Sequence, residues 1–365
     1  MNNKKVAIYP FDIESAPLVR YKEYLRSYDL MGVFSPRGWG INKDISMVDG
    51  GEKGLTIETD LINSVINYDT LIINQPCRTL DFNKNVLPLI ISKIQEKKEI
   101  ILNWYENESF IKELCERLSV PCSVMSYDRN LFVNHNKLMD ITVPIVFVCG
   151  FTEMANKFFT QLTLREYFTK EGYNISQIGT KKYSELFGFK SFPAFMFESI
   201  SDSEKIILFN NYVKQIEIEE RPDLIIIGIP GSVIPFNNRY NYHFGSFANI
   251  ISHSIEADAI IANILYGDYN QKIFDLKRNI MKYKYGWNVD CFSMSNFYVD
   301  LTSTLPDGEL QFSKVGSELL DGKIESTLKS VNNINIFNSL NDTHKFTMCK
   351  MIEDKLLSYG TTRIM

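Results

Sequence analysis

Apolar positions along this chain fall into short dense runs, separated by stretches where they recur every three or four residues. Lys5-Val-Ala-Ile-Tyr9 is a β-rich run, and between residues 16 and 28 Leu18, Tyr21 and Leu25 keep helical spacing, with Pro17 suited to a first turn. Runs at 28–34, 70–74 and 99–103 read as further strands, helices fit 87–96 and 106–118, and 120–125 adds a last strand. Strands spaced by helices predict a parallel sheet with both faces covered, a Rossmann-like α/β domain over residues 1–128.

From 129 to 140 the chain turns polar, and the domain junction is placed there. A second domain, 141–365, opens with the continuous apolar run 143–149, the kind a central parallel strand needs. A long helix follows at 156–170, stopped by Gly172. Further strands are expected at 173–178, 224–229, 259–265 and 296–301, and helices at 202–215, 247–255, 271–285 and 343–357. The expected fold class is therefore α/β, a Rossmann-like domain followed by a P-loop NTPase-like parallel-sheet domain.

The strand, loop and helix around residue 150 carry the chemistry. A phosphate-binding loop needs this context, because backbone N–H groups and a helix N-terminus must converge on the anion. The common pattern is G-x-x-x-x-G-K-[ST]. Here Lys157 lies seven positions after Gly150 rather than six, as in the longer loop of dethiobiotin synthetase-like P-loop proteins, which this segment resembles. Asn156 replaces the second glycine and tolerates left-handed backbone better than other residues. Phe158 replaces the hydroxyl that would reach Mg²⁺, and a phenyl ring cannot coordinate a hard cation. Gly228 stands where the 224–228 run would end in a metal-facing acid. Both usual metal supports are absent, which argues against ordinary Mg·ATP hydrolysis. Thr152 and Glu153 lie inside the loop; Glu153 is either a substitute ligand or a solvated carboxylate.

Other candidates follow later strands, on the ligand edge of a parallel sheet. Gly179 permits close backbone approach, and Thr180 or Lys181 can hold an anion. Arg239 and His243 belong to a long aromatic and polar loop, 231–245, and Asp268 is either a ligand group or a helix cap. In the first domain, Asp12 or Ser15 serves the ligand edge or caps the helix at Pro17. Cys77 stands beside Arg78, with no histidine neighbouring it in sequence to make it a nucleophile.

Composition narrows the class. The chain has 365 residues, 45% hydrophobic and 23% charged, with a formal charge of -5, which gives no electrostatic footprint for nucleic acid or anionic membrane. Six cysteines without a CxxC pair and four dispersed histidines give no metal-ligand spacing. The apolar run after Lys5 is too short for a signal-peptide core, so a cytoplasmic protein is expected.

Residues 151–180, with K-F-F-T-Q-L-T-L-R-E-Y-F and G-Y-N-I-S-Q-I-G-T, and P-D-L-I-I-I-G-I-P-G at 222–231, resemble a clostridial family of peptide maturation system proteins. The resemblance implies an accessory role in maturing a ribosomally made peptide natural product, with a radical-SAM maturase and a precursor peptide as partners. On this reading the loop binds a phosphate-bearing ligand, such as a nucleotide, or the peptide itself. The layout is also similar to bacterial P-loop proteins of an N-acetyltransferase type acting on small amino acids, which keep the second glycine and the hydroxyl. Two alternatives stand beside the accessory role. One is an ATP-dependent ligase or transferase with substituted metal ligands; the other is a scaffold that binds no nucleotide.

Overall fold

The structure is a computed structural model, and it describes residues 3–40, 42–58, 60–62, 64–304 and 310–362. Its internal contacts divide the chain into two compact units. The first comprises residues 1–127 with 182–188, the second 128–181 with 189–365.

In the first unit, six parallel strands are β1 (Lys4–Tyr9), β2 (Tyr28–Phe34), β3 (Ile57–Glu58), β4 (Thr70–Asn74), β5 (Glu99–Asn103) and β6 (Cys122–Val124). They lie in the order β3-β2-β1-β4-β5-β6, the Rossmann order, with the direction of strand succession reversing between β1 and β4. All five side chains of β4 are buried, as a central strand covered on both faces requires. The helices are α1 (Ala16–Arg20), α2 (Ser46–Asp49), α3 (Leu87–Gln95) and α4 (Glu108–Arg117). Ile90 and Ile94 of α3 and Ile111 and Cys115 of α4 close one core over Leu71, Ile73, Ile100 and Leu102. The helix expected over 16–28 is shorter than its apolar spacing suggested: it ends at Arg20, and Lys22–Tyr24 form a separate 3₁₀ turn.

Residues 182–188 complete this unit from outside its main stretch. Tyr183, Leu186 and Phe187 are buried, Tyr183 donates its hydroxyl to the Glu14 carbonyl at 2.8 Å, and the Arg26 amide donates to the Leu186 carbonyl at 2.7 Å.

The second unit holds β7 (Ile145–Gly150), α5 (Lys157–Lys170), β8 (Ile175–Gly179), β9 (Lys190–Ser191), α6 (Asp202–Glu220), β10 (Leu224–Gly228), α7 (Ser246–Ser254) and β11 (Ala259–Ile264). After these come α8 (Gln271–Tyr285), β12 (Cys291–Met294), β13 (Phe297–Val299), β14 (Phe312–Lys314), α9 (Ser317–Leu328), β15 (Ile336–Asn338) and α10 (Asp342–Thr362). Seven parallel strands lie in the order β15-β12-β11-β7-β10-β8-β9, with β13 and β14 a separate antiparallel ribbon. The strand that enters first, β7, is therefore central, and later strands flank it on both sides. Leu164 and Phe168 of α5 and Met348, Cys349 and Ile352 of α10 pack on Val146, Val148, Ile226 and Ile261 of the same sheet face. Phe274 of α8 meets Phe292 of β12 from the other face.

The run at 296–301 does hold a strand, β13, but outside the parallel sheet: Phe297–Val299 pairs antiparallel with Phe312–Lys314, and the parallel sheet takes the four buried residues of β12 instead. The polar stretch 129–140, where the sequence suggested a junction, is fastened to α6: Asn211 accepts from the His135 amide at 2.6 Å and Asn210 from the Met139 amide at 2.7 Å. No helix among the described residues is long and apolar enough to cross a membrane.

Candidate oxyanion loop of the second sheet

The loop from Gly150 to Lys157 leaves the carboxyl end of the central strand. Its entry is fixed by backbone pairing: Phe151 donates to the Asn263 carbonyl at 3.0 Å, and Val233 donates to the Gly150 carbonyl at 2.9 Å. Met154 and Asn156 both adopt left-handed backbone, with φ of 55° and 58°. Asn156 suits that conformation, and its side chain also donates to Asn296 Oδ1 at 3.1 Å and Ser339 Oγ at 3.3 Å. Met154 gains no such local help, so its backbone is held by the surrounding loop. The amides of Thr152, Glu153, Met154, Asn156 and Lys157 are paired with no acceptor among the described residues. The start of a 14-residue helix and successive amides around left-handed residues are the elements from which anion-binding loops are built.

Lys157 folds back over the end of β7. A Cβ on Gly150 would lie 2.9 Å from Lys157 Cδ, so only glycine lets the lysine stem cross the strand end. The ammonium donates to the Gly231 carbonyl in the loop after β10. Burial lowers its pKa to about 8; Glu153 and Cys149 oppose this shift and Lys181 adds to it. Glu153, Lys157 and Lys181 are thus electrostatic neighbours.

The two expected metal supports are absent, and the structure gives a reason for each. Phe158 is buried and packs on Phe189, ring centres 6.0 Å apart. A Cβ at Gly228 would lie 2.3 Å from Gln161 Nε2, so a neutral amide from α5 fills the space an acid at the end of β10 would need. Gln161 is fully buried and follows Lys157 by one helical turn. Its Nε2 reaches Thr180 Oγ1 at 3.4 Å, while its Oε1 has no partner among the described residues.

The Thr152 hydroxyl, Gln177 Oε1 of β8 and Asn263 Oδ1 of β11 are likewise buried without partners among the described residues. Gln161, Gln177 and Asn263 were missed by sequence reasoning. The available signal was one amide breaking each apolar strand near its carboxyl end, and one amide four positions after the lysine.

Not every expected residue joins the loop. Gly179 ends β8 directly before Thr180 and Lys181. Arg239 is exposed and stacks on the adjoining Tyr240 at 5.3 Å, in a turn held by Asn237. His243 packs on Phe247 at 5.5 Å. Asp268 pairs with Lys323, and the α8 cap is Asn270, accepting from the Ile273 amide at 3.1 Å.

In the first unit, Ser15 stands at the N-cap position of α1 but makes no side-chain capping hydrogen bond, and Asp12 is not the cap. Asp12 is buried and accepts from the Cys77 amide at 2.7 Å and the Glu14 amide at 2.9 Å. Burial first, and the charge of Glu14 second, raise its pKa to about 6. Desolvation of the sulfur and the Asp12 carboxylate raise the Cys77 thiol, the opposite of what a thiolate nucleophile needs. Asn103 donates to Asn74, Asn74 to Ser15 at 2.9 Å and Ser15 to the Pro10 carbonyl at 3.2 Å, a hydrogen-bonded chain across the β1–β4 switch point.

Comparison with models of known protein families gives no match, and comparison with curated proteins gives none. Among solved structures, the chain is similar to a DUF1611 family protein from Anabaena variabilis. The likeness has a TM-score of 0.62 at 10% identity and covers 96% of this chain and 100% of that one. At that identity it speaks for the shared fold alone: an α/β chain with two parallel sheets.

Proposed function

We propose that the second unit binds a phosphate-bearing ligand in the loop from Gly150 to Lys157, without Mg²⁺-assisted phosphoryl transfer there. The observation that carries this reading is the set of loop amides with no acceptor among the described residues, next in sequence to a lysine that is folded over the strand end. Such donors cost stability unless water or a ligand meets them, and an oxyanion satisfies several at once. The Thr152 hydroxyl, also without a partner among the described residues, is a further donor. The residues present do not fit Mg²⁺. Phe158 offers no oxygen, and the only oxygen that Gln161 brings to Gly228 is an uncharged amide.

The resemblance of residues 151–180 to peptide maturation system proteins supports a setting for this binding: the maturation of a ribosomally made peptide, with a precursor peptide and a radical-SAM maturase as partners. Flanking genes that encode neither would count against that setting.

The loop reading is tested by melting the protein with pyrophosphate, ATP and coenzyme A, each with and without Mg²⁺. At a hundred times its dissociation constant, the ligand should add about 2.7 kcal/mol of stability, equally without Mg²⁺. Lys157→Ala should remove most of this gain. Binding also falls as pH rises through about 8, because only the protonated lysine attracts the anion and its pKa lies there in the free protein. No stabilisation by any of the three ligands, or a gain that survives Lys157→Ala, would overturn the reading.

A further inference from the structure

Helix α8 carries two cations where an amphipathic helix ordinarily carries apolar side chains. Phe274 and Met281 are fully buried, and Lys277 and Arg278 fall between them at the spacing of one helix stripe. Both cations are therefore aimed toward the sheet and are only partly exposed. Lys277 holds its ammonium 4.0 Å from the centre of the Phe151 ring and 5.7 Å from that of Tyr269.

Neither cation has a carboxylate partner or a hydrogen-bond acceptor among the described residues, and Arg278 Nε is buried with nothing to donate to. The aromatic faces attract the ammonium but carry no net charge to neutralise it. Burial lowers the Lys277 pKa to about 8, consistent with a cation lacking its counter-charge. Successive along the helix, these two positive groups are partly withdrawn from water with no counter-charge among the described residues, a costly state that an anion would relieve.

We infer that Lys277, Arg278 and the ring of Phe151 form an oxyanion-binding site on the α8 side of the second sheet, for a phosphate or carboxylate group. The guanidinium offers a planar fork of donors and the ammonium a point charge, a pairing suited to either group. The site does not depend on Lys157, whose ammonium is engaged with Gly231.

Inorganic phosphate and acetate serve as probes, each added at constant ionic strength to Lys157→Ala protein, so that the loop site is already silent. A rise in melting temperature with phosphate, with acetate or with both supports the site and identifies the group it takes. Adding Lys277→Met and Arg278→Met should weaken that response at least tenfold in apparent dissociation constant, whereas Lys277→Arg should retain most of it. No response to either probe, or a response unchanged in the triple variant, would overturn the inference. Should the triple variant fail to fold, wild-type protein with ¹³C-dimethylated lysines provides a second reading. Phosphate or acetate should move the Lys277 resonance, identified by its loss in Lys277→Arg, and a resonance unmoved at saturating concentrations of both would also overturn it.

Discussion

An alanine at residue 228 would set its Cβ 2.3 Å from Gln161 Nε2, forcing the end of a fully buried amide out of its place. Gly228→Ala should therefore cost about 1–3 kcal/mol, as overpacking of a close-packed interior does. Gln161→Ala opens the space, so in the double variant much of that cost should disappear. A urea-unfolding double-mutant cycle measures this coupling, and strictly additive costs would show that the two side chains do not compete. At this scale the sequence was partly legible. Gly150 and Lys157 announce themselves because the loop needs a glycine at the strand end and a lysine at the helix start. Gln161 does not, because one glutamine in a helix is ordinary until the empty position it fills is known. Lys277 and Arg278 were equally silent: a Lys-Arg pair on a helix reads as a solvated face unless the stripe between Phe274 and Met281 is seen to point inward.

Helix α5 is buried on more than one side, from Phe158 through Leu164 and again at Tyr167 and Phe168, which is why its apolar pattern has no single face. Its position was still readable, since Gly172 follows it and a continuous apolar strand precedes it. The short elements β12, α9 and β15 were not. A four-residue buried strand has no periodicity to detect, and the longer apolar run beside it drew the assignment to 296–301. The closing helix α10 covers the same sheet face as α5, with Ile352 fully buried against it. Ile352→Ala should cost about 2–5 kcal/mol by denaturant unfolding while leaving ligand affinity at the loop unchanged. A loss of affinity larger than the loss of stability would mean that α10 shapes the loop and does more than cover the sheet.

Over the whole molecule, alternating strands and helices made two parallel sheets legible, because each strand run sits among turn and helix signals of its own. Membership of residues 182–188 was not, since nothing local to Tyr183, Leu186 or Phe187 says which core they enter. A fragment ending at Tyr127 lacks those three buried side chains and the hydrogen bonds to Glu14 and Arg26. It should unfold at least 10 °C below the first unit's transition in the full chain, as a loss of a few kcal/mol implies for a domain of this size. Calorimetry of the fragment, with and without a peptide of residues 181–189, checks this; an equal melting temperature would show the segment to be dispensable. The same excursion constrains the protein while it is being made. Translation delivers Tyr127 first and Gly188 61 residues later, roughly 3–12 s at ordinary elongation rates. For that interval the nascent first unit has every strand it will own and still shows an unfinished apolar surface. By the time its last piece emerges, β7, α5 and β8 of the next unit are already outside the ribosome, so neither unit reaches its final state by simple succession.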